Sequence, residues 1–224
     1  MKTLRSLILC FVVLLFAAPS LRAQDLSKYR HFTLGMSLTK LLERTDQKMS
    51  DVKTIHGRPA LIQEVTWWLP NGPGTFLRSD SVEQVLFSFY NGELYKISVT
   101  YDPPSTEGLT EEDMMKSISA KYGPATIAAP EIDSAAYSAF NTKQGLVASW
   151  EDPQYRVNLV RFSFGDGLGL IVFSKRVDTQ AELAIGEAVK LDEQESPQRE
   201  ADRQKKQKDD LEEARQRNQK SFRP

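Results

Sequence analysis

The stretch VEQVLFSFYNGELYKISVTY, from Val82 to Tyr101, decides how the rest of the chain is read. Two runs of alternating apolar residues flank Asn91-Gly92, a strong local hairpin signal. A two-residue loop pairs Phe89 with Leu94 and Phe87 with Lys96. That register sets the Val85, Phe87 and Phe89 face against Lys96 and Ser98. A three-residue loop, Tyr90-Asn91-Gly92, pairs Phe87 with Tyr95 and Val85 with Ile97 instead. One face is then continuously apolar, as a half-buried sheet requires. The pattern therefore predicts a three-residue loop with Gly92 at positive φ in a G1 bulge.

Upstream, Ser37 is placed to cap a helix carrying Leu38, Leu41 and Leu42. Gly57-Arg58-Pro59 breaks the pattern. A strand is expected over Ala60 to Leu69, with Leu61, Val65, Trp67 and Leu69 on the core face. Pro70 to Gly74 reads as a loop. Downstream, Thr110 caps a second helix whose first turn holds Glu111, Glu112 and Asp113, suited to the positive end of the helix dipole. Met114, Met115, Ile118 and Tyr122 form its apolar face, and Gly123-Pro124 ends it. Strands are expected over Tyr137–Phe140, Val147–Trp150, Tyr155–Phe164 and Leu168–Lys175. A last helix is expected to start at Asp178 or Thr179 and to use Leu183, Ala184, Ala188 and Leu191.

The two units match at one gap-free offset of 73 residues. Ser37 falls on Thr110, Phe89-Tyr90-Asn91-Gly92 on Phe162-Ser163-Phe164-Gly165, and Ile97 and Val99 on Leu170 and Val172. The fold class read from this is α+β: two tandem repeats, each a helix packed on an antiparallel sheet, with a charged C-terminal tail. The divisions expected are a signal peptide over 1–23, a first repeat over 24–104, a second repeat with a C-terminal helix over 105–191, and a tail over 192–224.

Lys2 and Arg5, the apolar run Leu7 to Ala18, and Leu21-Arg22-Ala23 before Gln24 have the form of a secretory signal peptide. The apolar run is short for a membrane span. Cys10 is the single cysteine and lies inside that run, preceded by Leu9 rather than by the small residue a lipoprotein cut needs. The expected mature chain has no cysteine, which excludes disulfides and thiolate chemistry. Losing Lys2, Arg5 and Arg22 takes the 29 basic side chains to 26 against 30 acidic ones, a net charge of −4. That balance argues against a nucleic-acid partner. The location expected is extracytoplasmic, periplasmic or secreted, without a membrane span after cleavage.

Asp192 to Pro224 holds nine acids and nine bases, and its only aliphatic or aromatic residues are Ala201, Leu211, Ala214 and Phe222. Such a segment cannot bury a core, and it reads as a solvated tail, disordered or helical.

No catalytic, cofactor or metal motif stands out. His31 and His56 are the only histidines, and neither sits in a G-x-S-x-G elbow or beside a nucleophile. Gly165-Asp166-Gly167-Leu168-Gly169 resembles a phosphate cradle, but an apolar strand follows it where an anion site needs a helix N-terminus. A hairpin loop is expected there. Arg156 and Arg161 are five apart and point to opposite faces of a strand. The one candidate contact residue is Trp68. Ile62, Glu64, Thr66 and Trp68 share the mixed face of their strand, so Trp68 is either an open interface anchor or a residue covered by the second half.

Phe32-Thr33-Leu34-Gly35-Met36-Ser37 leading into the first helix, and Tyr122-Gly123-Pro124 leading out of the second, resemble tandem helix-plus-antiparallel-sheet envelope modules. Two groups share that order: the SmpA/OmlA outer-membrane assembly lipoproteins and the β-lactamase-inhibitor proteins. The resemblance covers most of residues 32 to 175. It implies binding to another envelope or secreted protein rather than catalysis. The chain lacks the lipid-site cysteine of the first group and the disulfides of the second, so no functional residue carries over. The alternative reading is an envelope-directed hydrolase using carboxylates that the fold brings together.

Overall fold

A computed structural model of the chain describes residues 25–69, 80–127, 145–162 and 167–223. The expected signal peptide, the Pro70 to Gly74 loop and the strand at Tyr137–Phe140 lie outside the described residues. The fold is α+β. Among the described residues, eight antiparallel strands form one sheet in the order β3-β4-β5-β6-β10-β9-β8-β7. They are β3 (Val52–His56), β4 (Ile62–Trp68), β5 (Val82–Tyr90), β6 (Glu93–Tyr101), β7 (Thr126–Ile127), β8 (Gly145–Glu151), β9 (Tyr155–Arg161) and β10 (Leu168–Ser174). A small hairpin of β1 (Lys28–Tyr29) and β2 (Phe32–Thr33) precedes them. Neither that hairpin nor β3 is visible in the sequence pattern: two-residue strands and the mixed run of Val52 to His56 carry too few apolar residues.

The described residues also form the helices α1 (Leu38–Thr45), α2 (Pro103–Thr106), α3 (Glu111–Tyr122) and α4 (Lys175–Ser221). The two expected caps form. Ser37 accepts from the Lys40 amide, and Thr110 and Asp113 make a reciprocal capping box. Gly123 ends α3 at φ 85°, a conformation that costs glycine nothing.

The central hairpin departs from the expected loop. Tyr90 pairs with Glu93, and Asn91 (φ 50°) and Gly92 (φ 82°) form a two-residue turn with both residues left-handed, as a type I′ turn demands. The parity conflict is resolved further down, by a bulge. Ser88 pairs with Lys96 and Phe89 with Leu94, leaving Tyr95 as the extra residue. Phe87 therefore faces Ile97, and Val85 faces Val99, rather than Tyr95 and Ile97. Tyr95 does not join the Phe87 face; with Lys96 it turns to the opposite side of the sheet.

The first face carries the main core. Val65, Val85, Phe87, Phe89, Ile97 and Val99 from one half meet Trp150, Val157, Leu159, Leu170 and Val172 from the other. Leu41 and Leu42 of α1, Met114 and Ile118 of α3, and Phe32 of the small hairpin cover them. Trp150 donates to the Gly123 carbonyl at 2.9 Å, and the Tyr122 hydroxyl donates to the Lys28 carbonyl at 2.7 Å. Both bonds hold α3 in place with their polar ends satisfied.

The opposite face is covered at one end by α4. This helix begins at Lys175, directly after β10, rather than at Asp178 or Thr179. Those residues lie in its first turns, and Asp178 reaches the sheet. Its inner residues Val177 and Ala181 pack on Ile62 and Tyr95. Beyond Asp192 the helix continues through Pro197 with nearly all side chains exposed, tied by surface pairs such as Arg199–Asp192 and Arg217–Glu213. No described helix is long and apolar enough to cross a membrane.

Candidate binding surface

In antiparallel pairing, directly opposed residues share a face, so the register defines rows running across the second face. One row reads Lys53, Glu64, Ser88, Lys96, Phe173, Arg156 and Glu151. It is an ionic belt beside α4. The next reads Thr66, Leu86, Ser98, Ile171, Asn158 and Ser149, and the one after it Trp68, Gln84, Thr100, Gly169, Val160 and Leu146. Neither of these two rows holds a charge. On the β8–β10 side Val160 and Ile171 are buried, packed against half-buried Leu146 and Phe162. On the β4–β6 side Thr66, Gln84, Leu86 and Thr100 are only half-buried.

Trp68 stands at the end of this uncharged face and is 61% exposed. Its neighbour Trp67 points the other way and packs edge-on against Phe32 at 5.6 Å. The parity expected for the tryptophan pair holds, and the described residues of the second half leave Trp68 exposed. Two neighbours depart from expectation. Leu61 lies outside β4 and is exposed, and Ile62 on the mixed face is buried because α4 crosses there.

The belt supplies the electrostatics. The β6 bulge aims Lys96 at α4, where its Nζ lies 2.6 Å from Asp178 and 3.5 Å from Glu182. Burial alone pushes the Lys96 ammonium pKa down; the Asp178 charge and hydrogen bond, with Tyr95 and Glu182, outweigh it and hold the pKa above the ordinary lysine value. Glu64 is half-buried, and burial raises its pKa against the pull of Lys53 and Lys96. Glu151 accepts from Lys175 and Arg156, which hold its carboxyl below the usual range. The carboxylates gathered by the fold thus converge on ammonium and guanidinium groups.

His31 stacks on Phe32 at 4.0 Å, and burial with nearby Arg44 and Arg30 lowers its pKa. His56 lines a surface cavity of about 400 Å³ between the end of β3 and α4, together with Arg58, Asp192 and Arg199. Arg58 pairs with Glu195 and Arg199 with Asp192, so its charges are already neutralised. Arg156 and Arg161 go to different partners, Glu151 and Glu111. β9 and β10 pair antiparallel on either side of the Gly165 to Gly167 stretch, of which Gly165 and Asp166 lie outside the described residues. Among the described residues no group of three or more histidines, cysteines or acids could hold a metal ion. The buried Lys96 cluster was not foreseen; its only sequence signal is a lysine inside an otherwise apolar strand run. No protein family, no curated protein and no solved structure matches the chain.

Proposed function

We propose that the chain is an exported, non-catalytic protein-binding module, of the kind used in envelope assembly, which receives its partner on the uncharged part of the second sheet face. The observation carrying this reading is the pair of charge-free rows ending in exposed Trp68. Interface cores are depleted of charge and enriched in tryptophan, and a large open aromatic on a sheet face is otherwise a liability. A hydrolase would need two carboxylates facing a substrate across a cleft; Asp178 and Glu182 instead meet Lys96 in a helix–sheet seam, which weighs against that alternative.

The module is read as two repeats fused edge to edge. Each half runs helix then antiparallel strands, and the halves join at β6 and β10. The offset of 73 finds support at that seam. Ser98 lies opposite Ile171, the residue 73 positions on, and Ile97 and Val99 lie opposite Val172 and Leu170. A position facing its own equivalent is what a pseudo-twofold axis through an antiparallel seam demands.

The test is a photo-reactive amino acid at position 68 in the exported protein, with position 183 on exposed α4 as control. A discrete cross-linked partner at 68 but not at 183 is expected. With that partner purified, Trp68→Ala should weaken binding about fivefold to thirtyfold while changing stability by less than about 0.5 kcal/mol. Equal labelling at both sites, or unchanged affinity, would end the assignment. Export is tested by intact mass: a mature chain starting near Gln24 is expected, and retained Met1 would contradict it.

A further inference from the structure

We infer that the exposed arm of α4 pairs antiparallel with the same arm of a second copy, so that the chain self-associates through complementary charge. Residues 192–221 carry α4 on as one helix about 45 Å long, with nearly all side chains exposed. Its charges fall in blocks. Residues 192–198 hold three acids and no base, 199–208 five bases against two acids, 209–213 four acids and no base, and 214–221 three bases and no acid. The signs run minus, plus, minus, plus. Two copies laid in opposite directions therefore set every block against its opposite. Two laid in the same direction, in register, set every block against itself.

The arm's own ion pairs leave its centre unused. Among the described residues they are Arg199–Asp192, Arg203–Glu200, Arg215–Glu212 and Arg217–Glu213. None of Lys205, Lys206, Lys208, Asp209 and Asp210 takes part in one, and these residues straddle the point where the sign changes. Lys205 and Asp209 stand four apart, as do Lys208 and Glu212, but with the base nearer the N-terminus, the weaker orientation for pairing along one helix.

The register follows from the helix geometry. At about 3.6 residues per turn, residues 198, 202, 205, 209, 212, 216 and 219 form one stripe, with 208 and 215 at its margin. A twofold axis between residues 208 and 209 sets Lys208 against Asp209 of the second copy, Lys205 against its Glu212, and Asp202 against its Arg215. Each contact occurs twice, and no like charges oppose along the stripe. Residue 221 falls opposite 196, so the overlap ends beside Glu195, where the arm touches Arg58 of the body. Exposed pairs are individually weak and screened by salt, so the association belongs to low ionic strength.

Sedimentation of the full exported chain tests this. A monomer–dimer equilibrium is expected at about 0.02 M salt, weakened more than about tenfold at about 0.5 M. Lys205→Glu with Lys208→Glu should abolish it, as should Asp209→Lys with Glu212→Lys. An equal mixture of these two variants should restore it to within about threefold of the unaltered chain. Residues 198 and 219 fall opposite each other. Gln198→Cys and Gln219→Cys chains, otherwise unaltered, should therefore form a disulfide-linked heterodimer when mixed, faster than either chain links to itself. Trp68→Ala should leave the equilibrium unchanged, which separates this contact from the proposed partner surface. A monomer at low salt, a dimer indifferent to salt, a charge-swapped mixture that fails to associate, or loss of the dimer with Trp68→Ala would overturn the arm pairing. Preferential linkage of Gln198→Cys to itself would overturn its antiparallel sense.

Discussion

Phe87→Ala probes the central claim about the sheet, that the bulge rather than the turn sets the buried face. The Phe87 side chain is fully buried, lies between Val65 of β4 and Ile97 of β6, and meets the Phe32 ring at 4.6 Å. A buried phenylalanine removes about 150–250 Å² from water, so at about 25 cal/mol per Å² the transfer contribution is at most about 4–6 kcal/mol. The alanine methyl retains part of this, the cavity left behind adds to the cost, and the expected loss is about 3–5 kcal/mol. Leu86 is the control. It is the next residue, faces the other side opposite Thr66 and Ser98, and is only half-buried. Leu86→Ala should cost about 1 kcal/mol. Urea denaturation followed by circular dichroism gives both values, with an unchanged m-value required for the comparison. Equal losses at the two positions, or a Phe87→Ala loss below about 2 kcal/mol, would refute the face assignment.

Gly169→Ala should destabilise by about 1–3 kcal/mol in the same assay, because an added Cβ would lie 2.5 Å from the Phe162 ring and 2.8 Å from the Val99 carbonyl oxygen. The ring can swing away but the neighbouring strand cannot, so a neutral result would show that β6 and β10 are not packed as described. A chain ending at Leu191 should keep its stability to within about 1 kcal/mol, since the lost segment touches the body through the exposed pair Arg58–Glu195. Its far-ultraviolet spectrum should lose the helix signal of the missing residues; a stability loss of several kcal/mol would mean that the exposed arm packs.

Much of the frame was legible in the chain itself. Period-two alternation marked β4, β5 and β6, because each buries one face, and strands were also expected where β8, β9 and β10 form. Ser37, Thr110 and Gly123 marked helix ends, because caps satisfy backbone groups locally. The parity of Trp67 and Trp68 was readable for the same reason: it depends only on neighbours along one strand.

What the chain could not state is what depends on a second element. The choice between a three-residue loop and a tight turn followed by a bulge rests on which residues await burial on the far side, and that is decided by α4. Tyr95 and Lys96 break the alternation of β6 because Val177, Ala181, Asp178 and Glu182 meet them there. Ile62 is buried and Trp68 exposed on one face of one strand because α4 crosses the first end and not the second. The fusion of two halves into one sheet likewise rests on the pairing of β6 with β10, a contact between residues about 70 apart in the chain. Local patterns determine which side chains share a face; only the packed structure determines what covers that face, because burial is a property of the neighbour as much as of the strand.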